Sequence, residues 1–153
     1  MCCIVTATAS DAEMAERIAA HRRERPSHWR VREEPLRLGA ALREESESSR
    51  LLLVDCLTLW VANVLWPAHG SGGAQPDLQG WRSERDAFLS ALKVCERDVI
   101  LVTNEVGAGI VPEHASARLF RDEQGRLNQA VADVCDEVFL TVAGIALRLK
   151  PAS

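Results

Sequence analysis

Between Arg17 and Arg32 an otherwise acidic chain crowds its cations: Arg17, His21, Arg22, Arg23, Arg25, His28, Arg30 and Arg32, against a net charge of −4. Guanidinium forks pair well with phosphate oxygens, so the cluster suits a triphosphate. It equally suits a solvated basic helix face. Further on, Leu51-Leu52-Leu53-Val54-Asp55 is an apolar strand ending in a carboxylate. An acid in that place can hold Mg²⁺ through water beside nucleotide phosphates, or cap the helix that follows. A third group lies in VILVTNEVGAGIVPEHASARLFRDEQGRLN, from Val99 to Asn128. Here Asn104 and Glu105 follow an apolar strand and precede a loop opened by Gly107 and Gly109. Arg118 and Arg121 are spaced to share a helical face, with Arg126 beyond them. Each of these residues also has a purely local reading, as a strand-end hydrogen bonder or an exposed helix cation.

The elements that position these groups follow from hydrophobic periodicity. Cys3 to Thr6 is a short β-branched strand. Ser10-Asp11-x-Glu13 starts a helix from about Ala12 to Arg23, with Met14, Ile18 and Ala19 on its apolar side and Pro26 closing it. Trp29 to Arg32 forms a brief strand with Trp29 and Val31 on one face. A helix over Pro35–Glu45 is expected to use Leu36, Leu38 and Leu42 as its apolar contacts. Leu51 to Val54 is a second buried strand. Leu57, Trp60, Val61, Val64 and Leu65 fall on one helical stripe. Pro67 to Gly80 reads as a Gly- and Pro-rich insertion. A helix over Trp81–Glu96 follows it, then a buried strand over Val99–Thr103. A helix over Ala115–Cys135 is expected to bury Leu127, Val131 and Val134. Val138–Val142 and Ile145–Leu149 are the last strands, joined at Gly144. Strands alternating with helices make a mostly parallel sheet flanked by helices, an α/β fold with one antiparallel strand at its end. In open sheets of this kind, ligands sit beyond the carboxyl ends of the strands.

At 153 residues the chain fits a single domain over 1–153, large enough to bury a core. Its negative charge argues against a nucleic-acid partner. No apolar run approaches the ~20 residues that span a bilayer, and the N-terminal residues do not form a signal peptide. Five cysteines (Cys2, Cys3, Cys56, Cys95, Cys135) without CxxC spacing fit reduced thiols in a cytoplasmic protein.

The stretch TNEVGAGIVPE followed by R-x-F-R-D-x-x-G-R-x-N closely resembles the bifunctional adenosylcobinamide kinase/adenosylcobinamide-phosphate guanylyltransferase family of cobalamin synthesis. The resemblance runs from about Ile4 to Lys150. It implies a nucleotide-binding domain of P-loop NTPase (RecA-like) type. It also implies GTP and ATP as substrates, Mg²⁺, a corrinoid acceptor and a homo-oligomer, a trimer by family. In the family motif R-I-x-x-H-(R/K)-x-x-R-P-x-x-W the histidine becomes guanylylated, and His21 holds that place. Neutral imidazole is a competent nucleophile toward the α-phosphorus of GTP, with pyrophosphate leaving. By the same resemblance Arg17, Arg22, Arg25, Glu33, Asn104 and Glu105 contact the nucleotide. Arg118, Arg121 and Arg126 contact phosphate or corrinoid, and Asp55 serves the metal. His28 is the next candidate nucleophile.

The family opens with a strand and a glycine-rich phosphate loop, and no G-x-x-x-x-G-K-[ST] occurs in these 153 residues. The first residues align with the family's second strand, so the expectation is a chain with the first strand and P-loop missing. The alternative function is a non-catalytic nucleotide- or corrinoid-binding remnant of the family.

Overall fold

The computed structural model describes residues 1–9, 11–67 and 75–151. Ser10, expected at the start of the first helix, and residues 68–74 of the Pro67–Gly80 insertion lie outside the described residues. The elements are β1 (Cys2–Val5), α1 (Ala12–Glu24), β2 (Arg30–Glu33), α2 (Leu38–Ser46), β3 (Leu51–Asp55), α3 (Leu57–Leu65), α4 (Leu78–Lys93), β4 (Asp98–Val102), α5 (Ala115–Val134), β5 (Val138–Val142) and β6 (Ile145–Lys150).

Four strands form a parallel sheet in the order β2-β1-β3-β4. Its register sets Glu33, Val5, Asp55 and Val102 in one row across the carboxyl edge. Alternation then assigns the faces. Cys2, Ile4, Leu52 and Val54 point into one core with Leu38, Leu42, Leu57, Trp60, Trp81 and Phe88. The opposite face carries Val31, Ile100 and Val102, all substantially exposed.

The core is closed by helix-on-helix contact. α2 packs along α4, and α3 meets α4 and α5. Trp60 stands edge-on to Trp81 and Phe88, at 5.2 and 5.1 Å between ring centroids. Both indole N–H groups are satisfied, Trp60 by the Leu36 carbonyl and Trp81 by the Glu123 carboxylate at 2.7 Å. That is the condition for burying tryptophan without loss. Gly39 lets α2 approach α4: a Cβ there would stand 2.8 Å from the Ala87 and Phe88 backbone.

Four expectations from the sequence need correction. α2 begins at Leu38 rather than Pro35, because Glu34 Oε1 accepts the Leu36 and Arg37 N–H groups and turns the chain first. Leu36 is consequently exposed. β4 is not buried on both faces; it lies at the end of the four-strand order, with Ile100 and Val102 exposed. α1 buries no residue, and Met14, Ile18 and Ala19 are only half-buried. Finally, β5 and β6 pair with each other as a separate antiparallel sheet rather than extending the parallel one. Ala143 and Gly144 both take positive φ, 52° and 77°, the geometry of a tight hairpin turn. Lys150 ties this hairpin to the body by donating to the Ala132 and Cys135 carbonyls at the end of α5.

Candidate active site

Because the four strands are parallel, their carboxyl ends collect the polar residues on one edge. Glu33 and Asp55 sit on the same face, on either side of Val5, hence about two strand spacings or ~10 Å apart. α1 reaches both with cations from its last turn and its cap. Arg22 pairs with Glu33, and Arg25 Nη2 donates to Asp55 Oδ2 at 3.1 Å. The Arg22 pair is exposed and screened by solvent; the Arg25 pair is largely buried on the arginine side.

Asp55 is not the cap of α3. The N-cap is Cys56, without a side-chain cap bond. The Thr6 hydroxyl instead holds the start of α3, accepting from the Cys56 N–H at 3.0 Å and donating to the Cys56 carbonyl at 2.7 Å. Asn63, buried on α3, donates to the Thr6 and Pro35 carbonyls and fixes the ends of β1 and β2 to the same helix.

His21 is exposed on α1, one turn before Arg25, whose N–H caps the His21 carbonyl. The shared helix therefore sets His21 beside the residue that reaches Asp55. Arg17 pairs with Glu13 across one helical turn, and His28 is exposed in the segment after the helix.

At the end of β4 the Asn104 N–H donates to Thr58 Oγ1 at 3.0 Å, and the Asn104 carbonyl accepts from Asn128 Nδ2 at 3.1 Å. Glu105 Oε1 accepts the Gly107 N–H and tightens the turn into the glycine loop. The α5 arginines hold that loop from the other side. Arg121 donates to the Gly107 carbonyl at 2.7 Å, and Arg118 to the Pro112 and Glu113 carbonyls. Arg126 pairs with Glu123, the carboxylate that also receives Trp81. Arg118 and Arg121 thus shape the loop, while Arg126 lies farther along α5 on a structural carboxylate.

Thr6, Thr58, Gln124 and Asn128 join the strand ends through hydrogen bonds that their residue types and spacing do not announce. Asn128 closes the R-x-F-R-D-x-x-G-R-x-N motif, and that was its only signal. Among the described residues no group of three or more His, Cys, Asp or Glu side chains is arranged to hold a metal. Asp55 alone at the strand end fits a cation that takes its other ligands from water and substrate phosphate. Among the described residues no helix is long and apolar enough to cross a membrane.

A parallel sheet with acids on its carboxyl edge, faced by a basic helix and a glycine loop, makes this an α/β domain whose charged side chains gather at that edge. The chain belongs to the cobinamide kinase / cobinamide phosphate guanyltransferase family, whose model matches residues 1–149. It is 48% identical over 147 residues to the bifunctional adenosylcobalamin biosynthesis protein CobP of Pseudomonas aeruginosa, covering 96% of this chain and 80% of that one. It is 39% identical over 154 residues to the bifunctional adenosylcobalamin biosynthesis protein CobU of Escherichia coli, covering 96% of this chain and 84% of that one.

Proposed function

We infer that the chain acts in cobalamin nucleotide-loop assembly, phosphorylating adenosylcobinamide and then transferring GMP from GTP through a histidine intermediate. The observation that carries this reading is the Arg25–Asp55 contact, which sets the basic helix bearing His21 against the strand-end acid. His21 is the nucleophile toward the α-phosphorus. Arg17, Arg22 and Arg25 draw charge from the departing pyrophosphate, and Glu33, Asn104 and Glu105 contact the nucleotide. Arg118, Arg121 and Arg126 serve phosphate or the corrinoid. Mg²⁺ belongs at Asp55, where it neutralises phosphate charge when bound. Oligomer assembly, a trimer by family, and a cytoplasmic location are part of the same reading.

A second reading, non-catalytic binding of nucleotide or corrinoid, has one observation in its favour. Arg25, Arg118 and Arg121 are all engaged by protein acceptors rather than presented to a ligand. Isothermal titration separates the two. The enzyme reading expects GTP binding that depends on Mg²⁺ and is weakened at least about tenfold, roughly 1.4 kcal/mol, in Asp55→Asn. Corrinoid binding without GTP binding would favour the second reading, and binding of neither would overturn both.

A further inference from the structure

The main chain of Asn104 is gripped at both its N–H and its carbonyl by side chains of two different helices. On α3, Thr58 Oγ1 accepts its N–H; on α5, Asn128 Nδ2 donates to its carbonyl. Hydrogen-bond polarity fixes the rest of the network without ambiguity. A carbonyl only accepts, so the Asn128 amide must turn its NH₂ toward Asn104 and its oxygen the other way. That oxygen receives the Thr103 hydroxyl at 2.7 Å and Gln124 Nε2 at 2.8 Å. Gln124 Nε2 also donates to Thr103 Oγ1 at 2.9 Å. Gln124 is fully buried, and the orientation forced on it leaves its Oε1 without a donor.

An unpaired buried amide oxygen is costly. Network geometry accounts for it: the glutamine faces the way that serves Asn128, and Asn128 faces the way that serves the Asn104 peptide. A merely structural tie between β4 and α5 would not require this orientation, since Thr103 alone joins both.

We propose that Thr58 and Asn128 are positioning residues that clamp the Asn104 main chain at its N–H and its carbonyl and so aim Asn104 and Glu105 at the nucleotide. This rests on the nucleotide-contact reading of those two residues. The clamp acts through the backbone, so it sets the direction of both side chains at once. Gln124 supports it from behind by holding the Asn128 oxygen.

Asn128→Asp keeps the acceptor for Thr103 and Gln124 and the size, but replaces the donor to Asn104 with a charged oxygen. The uncharged Thr58→Val is therefore read beside it, to separate loss of the clamp from added charge. Thr58→Val removes the acceptor for the Asn104 N–H at nearly constant volume, whereas Thr58→Ser retains it. The test measures GTP affinity with Mg²⁺ by titration, thermal midpoint, and the ¹⁵N shifts of the Asn104 amide, whose N–H Thr58 accepts, and of the Glu105 amide, whose peptide unit carries the carbonyl that Asn128 holds. Asn128→Asp and Thr58→Val should each weaken GTP binding on the order of tenfold, in the range of other supporting-residue effects. Thr58→Val should move the Asn104 signal and Asn128→Asp the Glu105 signal, and Thr58→Ser should keep both affinity and shift near wild type. Wild-type affinity in Asn128→Asp and Thr58→Val overturns the clamp while leaving the nucleotide reading intact. Weak binding accompanied by an equal loss in Thr58→Ser, or by a collapse of the thermal midpoint, reduces the network to a structural tie and overturns the clamp as well. A wild-type chain that binds no GTP overturns the nucleotide reading itself and this inference with it.

Discussion

Arg25, just past the end of α1, donates to the carboxylate of Asp55 at the end of β3, thirty positions along the chain. α1 buries no residue fully, so this partly buried pair is one of the contacts that hold it, beside the half-buried Met14, Ile18 and Ala19. The same contact places a guanidinium on the acid assigned to the metal. On the proposed function, a cation at Asp55 would compete with Arg25 for that carboxylate.

Breaking this pair from either end should loosen α1 alike. Arg25→Gln and Asp55→Asn are each expected to speed amide exchange over 15–24 by roughly fivefold, the equivalent of about 1 kcal/mol for a partly buried pair. The double variant should add nothing to either single one. Exchange over 57–65 in α3 should stay slow. Additive effects in the double variant would mean that the two residues act on α1 independently.

The packing of α2 on α4 makes a paired prediction for two glycines. At Gly39 an added methyl meets backbone at 2.8 Å, which cannot swing aside as a side chain can. Gly39→Ala should destabilise by about 1–3 kcal/mol despite the better helix propensity of alanine. Gly125, in α5, has nothing within 4 Å of such a methyl. Gly125→Ala should stabilise by up to about 1 kcal/mol. Urea denaturation of the two variants checks both signs.

Much of this architecture was legible in the residues themselves, and the exceptions share a cause. Leu57, Trp60, Val61 and Leu65 repeat with a helical period, and all four are buried in α3. Asp55 could be located at a strand end because the apolar run before it is unbroken. β4 could not be told from a central strand, since Val99-Ile100-Leu101-Val102 has the composition of one and edge position depends on neighbours. Thr58 and Asn128 carry no periodic signal, and they meet Asn104 across 46 and 24 positions. Arg118 and Arg121 also hold the loop through backbone carbonyls, acceptors that no residue type announces.

Alkaline pH should destabilise the fold through Cys2. Burial pushes its thiol from 9.0 up to about 11, with a hydrogen bond to Glu45 and that carboxylate's charge adding to the effect. The raised value means that the folded state keeps a proton the unfolded chain has released. The contribution is fully present below pH 9 and is lost as pH rises through about 11. Two units correspond to roughly 2–3 kcal/mol at most. Cys3 and Cys135 are shifted upward too, mainly by burial, so the slope has more than one source. Stability measured by urea at pH 8, 9, 10 and 11 should fall steadily, and Cys2→Ala should flatten part of the fall. An equal slope in Cys2→Ala would assign the effect to the other thiols.

His21 makes the most specific prediction. Guanylyl transfer through histidine needs an imidazole at the α-phosphate with cations to stabilise the departing pyrophosphate. His21 is exposed on α1, and Arg22 and Arg25 beside it are held toward Glu33 and Asp55 at the strand ends. In the transfer, the imidazole nitrogen forms a bond to the α-phosphorus as the bond from that phosphorus to the bridging oxygen breaks. The leaving group is pyrophosphate, and the product is a phosphoramidate bearing GMP. Incubated with GTP and Mg²⁺, a version carrying a G-x-x-x-x-G-K-[ST] unit ahead of Met1 should gain the mass of one guanylyl group, GMP less one water. The adduct should be acid-labile and base-stable, and His21→Ala should abolish it. The 153 residues alone should label weakly, because no such phosphate-cradling motif is among them. Labelling that survives in His21→Ala would move the nucleophile to another residue, with His28 next to be tested. An unlabelled wild type carrying the added unit would leave His21 an ordinary surface histidine and remove the guanylyl-transfer half of the proposed function.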